Sequence, residues 1–152
     1  MVSYGIGLCL IVNVCEYGEE KLMIPEELQE LLTKTNSAIV AVNRPSGGPQ
    51  VTPVWYLWDG EAFYFSTTTD RAKFSNIKRD PAISLIVDEG SKYVAVYGQA
   101  QIIESDFADI AERLITKYVA PEQQHQWVKI TQAPGRIIVK LKPEKVVASK
   151  GR

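Results

Sequence analysis

The run Ser66-Thr67-Thr68-Thr69-Asp70-Arg71-Ala72-Lys73 holds the densest chemistry in the chain. Four successive hydroxyls precede two cations at the head of Arg71 to Arg79, a segment that reads as a short helix. Asp80-Pro81 closes that helix, because a residue before proline resists helical geometry. The free N–H groups of a helix start attract anions. A guanidinium such as Arg71 can grip a phosphate through two parallel hydrogen bonds, and an ammonium such as Lys73 adds a compact charge. Hydroxyls complete such a shell without adding charge. The chemistry this spacing suits is phosphate binding. The plainer reading of the same residues is a capped surface helix with solvated cations.

A second run, Val51-Thr52-Pro53-Val54-Trp55-Tyr56-Leu57-Trp58, favours extended structure. Pro53 has no N–H to give a central ladder, so its strand lies at an edge or is bulged. An interrupted ladder leaves backbone N–H and C=O groups free to bond a planar heterocycle, with aromatics beside it to cover the ring. An ordinary edge strand with core tryptophans fits the run equally well. The usual catalytic sets are missing: there is no G-x-S-x-G elbow, H-E-x-x-H helix or P-loop. One histidine, His125, and two cysteines, Cys9 and Cys15, nearly exclude triads and offer no metal-ligand pattern. Demanding chemistry in this chain would therefore belong to a cofactor. Tyr56, Tyr64 and Tyr97 are the candidate proton donors, although buried tyrosines usually pack and hydrogen-bond only.

The elements that must position these residues follow from pattern. The chain has 152 residues, one ordinary domain able to bury roughly 70% of its unfolded surface. Basic and acidic residues number 17 and 18, so no global field draws nucleic acid, and any anion site is a local cluster. Free thiols fit a reducing, cytoplasmic setting. The apolar stretch Gly5 to Val14 lacks preceding cations and is too short to span a bilayer. Residues 1–22 read as an N-terminal extension, as an added strand, a tail or a start upstream of a true initiator at Met23. The last two are favoured, because Pro25-Glu26-Glu27 opens a helix directly afterwards.

Leu28, Leu31 and Leu32 carry that helix to about Asn36. Strands are expected over Ala38 to Val42, Gln50 to Trp58 and Ala62 to Ser66, as a three-stranded antiparallel meander with a hairpin turn at Asp59-Gly60. Further strands span Ala82 to Val87 and Tyr93 to Ile103, the latter interrupted by Gly98, which signals a bulge or a close backbone approach. Ser105 caps a helix to about Tyr118, and Pro121 to Gln132 forms a looser one. Gly135 to Leu141 is a strand, and Lys145 to Ala148 adds a short last one. The total, about six or seven antiparallel strands with flanking helices, describes a mainly β, α+β domain over 23–152 built as a closed or partly open barrel.

The order Gln50-Val51-Thr52-Pro53-Val54-Trp55, Phe63-Tyr64-Phe65-Ser66-Thr67, Asp70-Arg71-Ala72-Lys73-Phe74-Ser75-Asn76-Ile77-Lys78-Arg79-Asp80-Pro81 and Ser84-Leu85-Ile86-Val87-Asp88 resembles the pyridoxamine 5′-phosphate oxidase-like superfamily. The closest likeness is to its branch of small FMN- or F420-dependent oxidoreductases. Tyr93-Val94-Ala95-Val96-Tyr97-Gly98-Gln99-Ala100, Gly135-Arg136-Ile137-Ile138-Val139 and Pro143-Glu144-Lys145-Val146 extend it, so that it covers Pro25 to Ala148. The Arg-Ala-Lys helix with its Arg-Asp-Pro ending is its most specific piece.

The resemblance implies an FMN-binding split barrel and a homodimer with sites at the subunit interface. It implies that Arg71 and Lys73 bind the phosphate of FMN or the deazaflavin F420, helped by Ser66 and Thr67. Backbone groups of Pro53, Val54 and Trp55 would face the ring, and Asn76 could touch the phosphate. Gln101 and Trp127 are candidates for closing the site from the partner subunit. The implied activity is hydride transfer at the cofactor's N5 or C5 position to a small-molecule substrate. No basic pattern for a second, substrate phosphate stands out over Gly135 to Arg152, which disfavours vitamin B6 oxidation. Two alternatives stay open. One is a non-catalytic module for a flavin, the deazaflavin or haem, with His125 the only imidazole available to iron. The other is a cofactor-less dimeric domain anchored by Trp55, Trp58 and Trp127. Nucleic acid and membrane are not expected partners.

Overall fold

The computed structural model describes residues 10–12 and 24–151. Nine strands are β1 (Leu10–Val12), β2 (Ala38–Val42), β3 (Gln50–Val54), β4 (Leu57–Trp58), β5 (Phe63–Thr68), β6 (Ala82–Glu89), β7 (Lys92–Ile103), β8 (Arg136–Leu141) and β9 (Lys145–Lys150). The helices are α1 (Glu26–Thr33), α2 (Ala72–Arg79), α3 (Ala108–Tyr118) and α4 (Gln124–Thr131), the last entered through a 3-10 turn at Pro121–Gln123. The sheet runs β3-β2-β6-β7-β8-β5-β4, with β9 paired to β7 and β1 to β9. Every pairing is antiparallel. This is the mainly β split barrel with flanking helices that the sequence predicts.

Alternation fills the barrel. In register across the sheet, Val40 faces Leu85, Leu85 faces Val96, and Val96 faces Val146. All four are at most 1% exposed. Phe63, Phe65, Val139 and Leu141 close the core from the other half. Apolar residues at alternate positions give each strand one buried face, and that periodicity makes these strands legible. In α1, Leu28, Leu31 and Leu32 are buried and Glu26 and Glu27 sit in the first turn. The helix stops at Thr33, before Asn36, because Lys34 is already extended.

The run Gln50 to Trp58 is not one strand. It splits into β3, paired with β2, and β4, paired with β5, and these strands lie at opposite ends of the sheet. Trp55 and Tyr56 cross the gap between the two edges. The three-stranded meander is therefore two separate hairpin pairings, and β5 continues onto β8. Pro53 sits on an edge strand, as its missing N–H requires.

Strand β7 serves both halves. Residues 92–97 pair with β9 and residues 100–103 with β8. Gly98 lies at the change of partner, and a Cβ there would stand 2.7 Å from the Lys142 carbonyl oxygen. The Glu144 N–H donates to the Tyr97 carbonyl at 2.9 Å. The interrupted strand thus marks a close backbone approach.

Helix α3 begins at Ala108, later than Ser105 implies, after Asp106 takes a left-handed φ of 58°. Aspartate tolerates that region, and Phe107 occupies the cap position without a side-chain cap bond. The last strand reaches Lys150, longer than expected. Within the 1–22 extension, Leu10–Val12 pairs with β9, the added-strand reading that the sequence ranks below the others. Cys9 and Cys15 lie outside the described residues. No described helix is long and apolar enough to cross a membrane.

Candidate functional site

Strand β5 ends at Thr68 and α2 starts at Ala72, so Thr69, Asp70 and Arg71 make the turn between them. The Arg71 N–H donates to the Thr68 carbonyl at 3.1 Å, and the Thr69 N–H donates to the Gly135 carbonyl at 2.9 Å. The second bond ties the turn to the start of β8. There Arg136 stands opposite Thr68 in the ladder. Arg71 is exposed, whereas Lys73 is only 9% exposed, its ammonium 5.9 Å from the centre of the Phe65 ring. Burial first, and the Arg71 charge second, hold the Lys73 ammonium below the usual lysine pKa. Asp70 bonds the Thr68 hydroxyl, the main cause of its lowered carboxyl pKa. The ion pairs among the described residues, Lys34 with Glu89 and Lys150 with Glu27, lie elsewhere. Arg71, Lys73 and Arg136 therefore converge without a carboxylate in ion-pair contact.

These cations form one wall of a cavity of about 610 Å³. Ser66, Thr67 and Thr68 add hydroxyls beside them. The free edge of β3 supplies Gln50, Thr52, Pro53 and Val54. The lining also includes the apolar side chains of Trp55, Leu114, Ile115, Trp127 and Ile130, with Thr131. Trp55 stacks on Tyr118 with ring centres 4.9 Å apart and planes 2° from parallel, and Trp127 tilts against Trp55 at 5.3 Å. Among the described residues, no aspartate, glutamate or histidine lines the cavity. Its lining combines cations and hydroxyls with aromatic and aliphatic side chains.

Of the residues expected from sequence, Pro53, Val54, Trp55, Ser66, Thr67, Arg71, Lys73 and Trp127 line the cavity. Trp127, expected from a partner subunit, lines the cavity of its own chain. Asn76 is buried but absent from the lining. Its amide donates to Gln50 Oε1 at 3.1 Å and accepts from Arg79 Nη1 at 3.0 Å, so it steadies Gln50. Gln101 is exposed on β7 opposite Lys140 and does not line its own chain's cavity.

The candidate proton donors are also elsewhere. Tyr56 donates to Asn36, Tyr64 donates to Asp59, and Tyr97 is 43% exposed on the outside of the sheet. His125 is exposed on α4 and does not line the cavity, so these walls offer haem iron no imidazole. Trp58 donates to Gln29 instead of facing the cavity.

Sequence reasoning missed Arg136 as a third cation. Its signal is a lone arginine after Pro134-Gly135 at a strand start. Only the pairing of β5 with β8 brings it to the hydroxyl run.

Two hydroxyls test whether a ligand fits. Ser66 Oγ and Thr52 Oγ1 are buried in the cavity wall without a hydrogen-bond partner. Buried polar groups are ordinarily paired, so two orphans in a lining that also holds three cations fit a phosphate-bearing heterocycle.

An antiparallel barrel split between two edges, with a cavity lined by cations and aromatics at the split, defines a split-barrel domain. Residues 24–150 match the family model of pyridoxamine 5′-phosphate oxidase, and the chain belongs to that family. An F420 reductase is 29% identical, with a TM-score of 0.65, over 84% of this chain and 99% of that one. A conserved hypothetical protein of Mycobacterium tuberculosis shares 20% identity and a TM-score of 0.69 over 90% of this chain and 91% of its own. HutZ, the haem storage protein of Vibrio cholerae, shares 16% identity and a TM-score of 0.67 over 84% of this chain and 96% of its own. The last two likenesses show the fold alone.

Proposed function

We propose that this protein is an oxidoreductase that binds FMN or the deazaflavin F420 in the split of the barrel and reduces a small-molecule substrate. The observation that carries the reading is the convergence of Arg71, Lys73 and Arg136 with unpartnered Ser66 and Thr52 hydroxyls on one cavity that Trp55 and Trp127 also line. Family membership and the likeness to an F420 reductase support it. A bound flavin or deazaflavin supplies hydride chemistry, for which these walls carry no substitute. Arg71, Lys73 and Arg136 neutralise the phosphate, and Ser66 and Thr67 offer it hydroxyls. The free edge of β3 presents backbone groups to the ring, while Trp55, Trp127 and Ile130 exclude water from its surroundings. Those contributions are position and electrostatic fit, the part the protein plays around a cofactor.

We infer a homodimer as the working form. The outer face of the sheet is apolar in part. Val51, Ala41, Ser84, Tyr97 and Lys145 lie in one row across it, and Pro53, Ile39, Ile86, Ala95 and Val147 in the next. Val51 is 58% exposed. Exposed apolar residues such as Val51 and Tyr97 mark an interaction surface when they lie together, and a second copy fits because a two-fold pairing matches like to like. This face adjoins Pro53 and Trp55, so a partner there reaches the mouth of the cavity.

Mass spectrometry of the small molecule that co-purifies, followed by anaerobic mixing of the reduced protein with candidate acceptors, tests the activity. A co-purified tricycle and its reoxidation by an organic acceptor support an oxidoreductase. A tightly held tricycle that no acceptor reoxidises makes the protein a carrier.

A further inference from the structure

Trp55 and Tyr56 leave one sheet edge and enter the other, so no ladder supplies partners for their backbone. Buried backbone groups need partners, and Tyr56 is fully buried. The last turn of α3 provides both. The Tyr56 N–H donates to Tyr118 Oη at 3.2 Å, and the Tyr56 carbonyl accepts from Lys117 Nζ at 3.0 Å. Each anchor is tied back to the first helix and the chain after it. Tyr118 Oη donates to the Asn36 carbonyl at 2.9 Å, and Lys117 Nζ donates to the Leu32 carbonyl at 3.1 Å.

Rings repeat the pattern. Trp55 lies parallel on Tyr118, and the Lys117 ammonium stands 3.6 Å from the centre of the Tyr56 ring. Neither Lys117 nor Tyr118 lines the cavity, whereas Trp55, on which the Tyr118 ring stacks, does. The anion wall rests on β5, α2 and β8 instead. The two ends of the cavity are thus positioned by different elements.

We propose that Tyr118, with Lys117 beside it, is a positioning residue that fixes the crossover and thereby sets how tightly the cavity holds a planar ring. The inference rests on the cofactor reading above and adds the residues that tune it. Substituting Tyr118→Phe removes the hydroxyl and keeps the ring stack. Riboflavin 5′-phosphate probes the whole cavity, inorganic phosphate probes the anion wall alone, and amide exchange at Tyr56 reads the crossover without ligand.

The expected result is riboflavin 5′-phosphate bound about ten-fold more weakly, phosphate binding unchanged, and faster exchange at Tyr56. If Tyr118→Phe does not fold, Lys117→Met, which removes the donor and keeps the stem, is expected to give the same pattern. Unchanged flavin affinity in a folded variant overturns the inference, as does a parallel loss of flavin and phosphate binding that tracks melting temperature. A wild-type chain that binds neither FMN nor F420 defeats the cofactor reading itself and the inference with it. The two failures are therefore distinguishable.

Discussion

Arg71 and Lys73 line one cavity from different environments, and their substitutions should separate if both hold the proposed phosphate. Arg71 is exposed, while Lys73 is buried against Phe65. A hydrogen bond to a charged group contributes about 1.5–3 kcal/mol. Arg71→Ala should therefore weaken FMN binding by roughly ten- to hundred-fold with the fold intact, as read by calorimetry and circular dichroism. Lys73 adds a pH signature. Its pKa is lowered by burial and by Arg71, so it loses its charge before an ordinary lysine does as pH rises. Affinity for a phosphate-bearing ligand should fall across the alkaline range, and Lys73→Arg should flatten the profile because a guanidinium stays charged. A flat wild-type profile would show that Lys73 takes no part. Of the candidate site, the Ser66 to Lys73 cradle was legible because its members are neighbours in the chain. Arg136 was not, since β-pairing alone brings it to Thr68. Nor can sequence say that α4 folds back over its own chain's Trp55.

Among the elements, β7 and the crossover carry the split. Gly98 lets the Lys142 carbonyl pass at the point where β7 changes partner. Gly98→Ala should overpack that contact and cost about 1–3 kcal/mol. Thermal melting would read this as a drop of roughly 2–4 °C per kcal/mol, and an unchanged melting point would mean the turn at Lys142 can yield. Most strands were readable from alternation, and Gly98 from its place inside one. The break at Trp55 and Tyr56 was hidden, because Val54, Trp55, Tyr56, Leu57 and Trp58 all suit a strand. What interrupts it is long-range: the Tyr56 N–H is claimed by a hydroxyl 62 residues away. The start of α3 was placed too early for a local reason, the left-handed turn at Asp106.

For the whole molecule, assembly and alkaline stability give separate tests. A dimer through the outer sheet face brings Tyr97 of each copy against an apolar surface. Tyr97→Asp should shift the chain to monomer in analytical ultracentrifugation, and a dimer that persists unchanged would place the interface elsewhere. Stability should also follow the groups buried around the crossover. Burial lowers Lys117 from 10.5 to about 8. Between those values the unfolded chain holds a proton that the folded chain has released, so stability rises with pH there. Tyr118 is pushed by burial from 10.0 up to about 12. The unfolded tyrosine ionises first, so its effect lowers stability above about pH 10. The urea midpoint should climb from about pH 8 to about pH 10 and then fall, and Lys117→Met should reduce the climb.

The central claim is that Arg71 and Lys73 anchor a phosphate-bearing tricycle in the split of the barrel. The most direct measurement is a calorimetric titration of the wild-type chain and the Arg71→Ala/Lys73→Ala double variant with FMN and with F420. Saturable binding of at least one tricycle to the wild type, lost by a hundred-fold or more in a folded double variant, is the predicted result, roughly the sum of two charged hydrogen bonds at the lower end of their range. Equal affinity in both proteins, or no binding of either tricycle to a folded wild type, would contradict it.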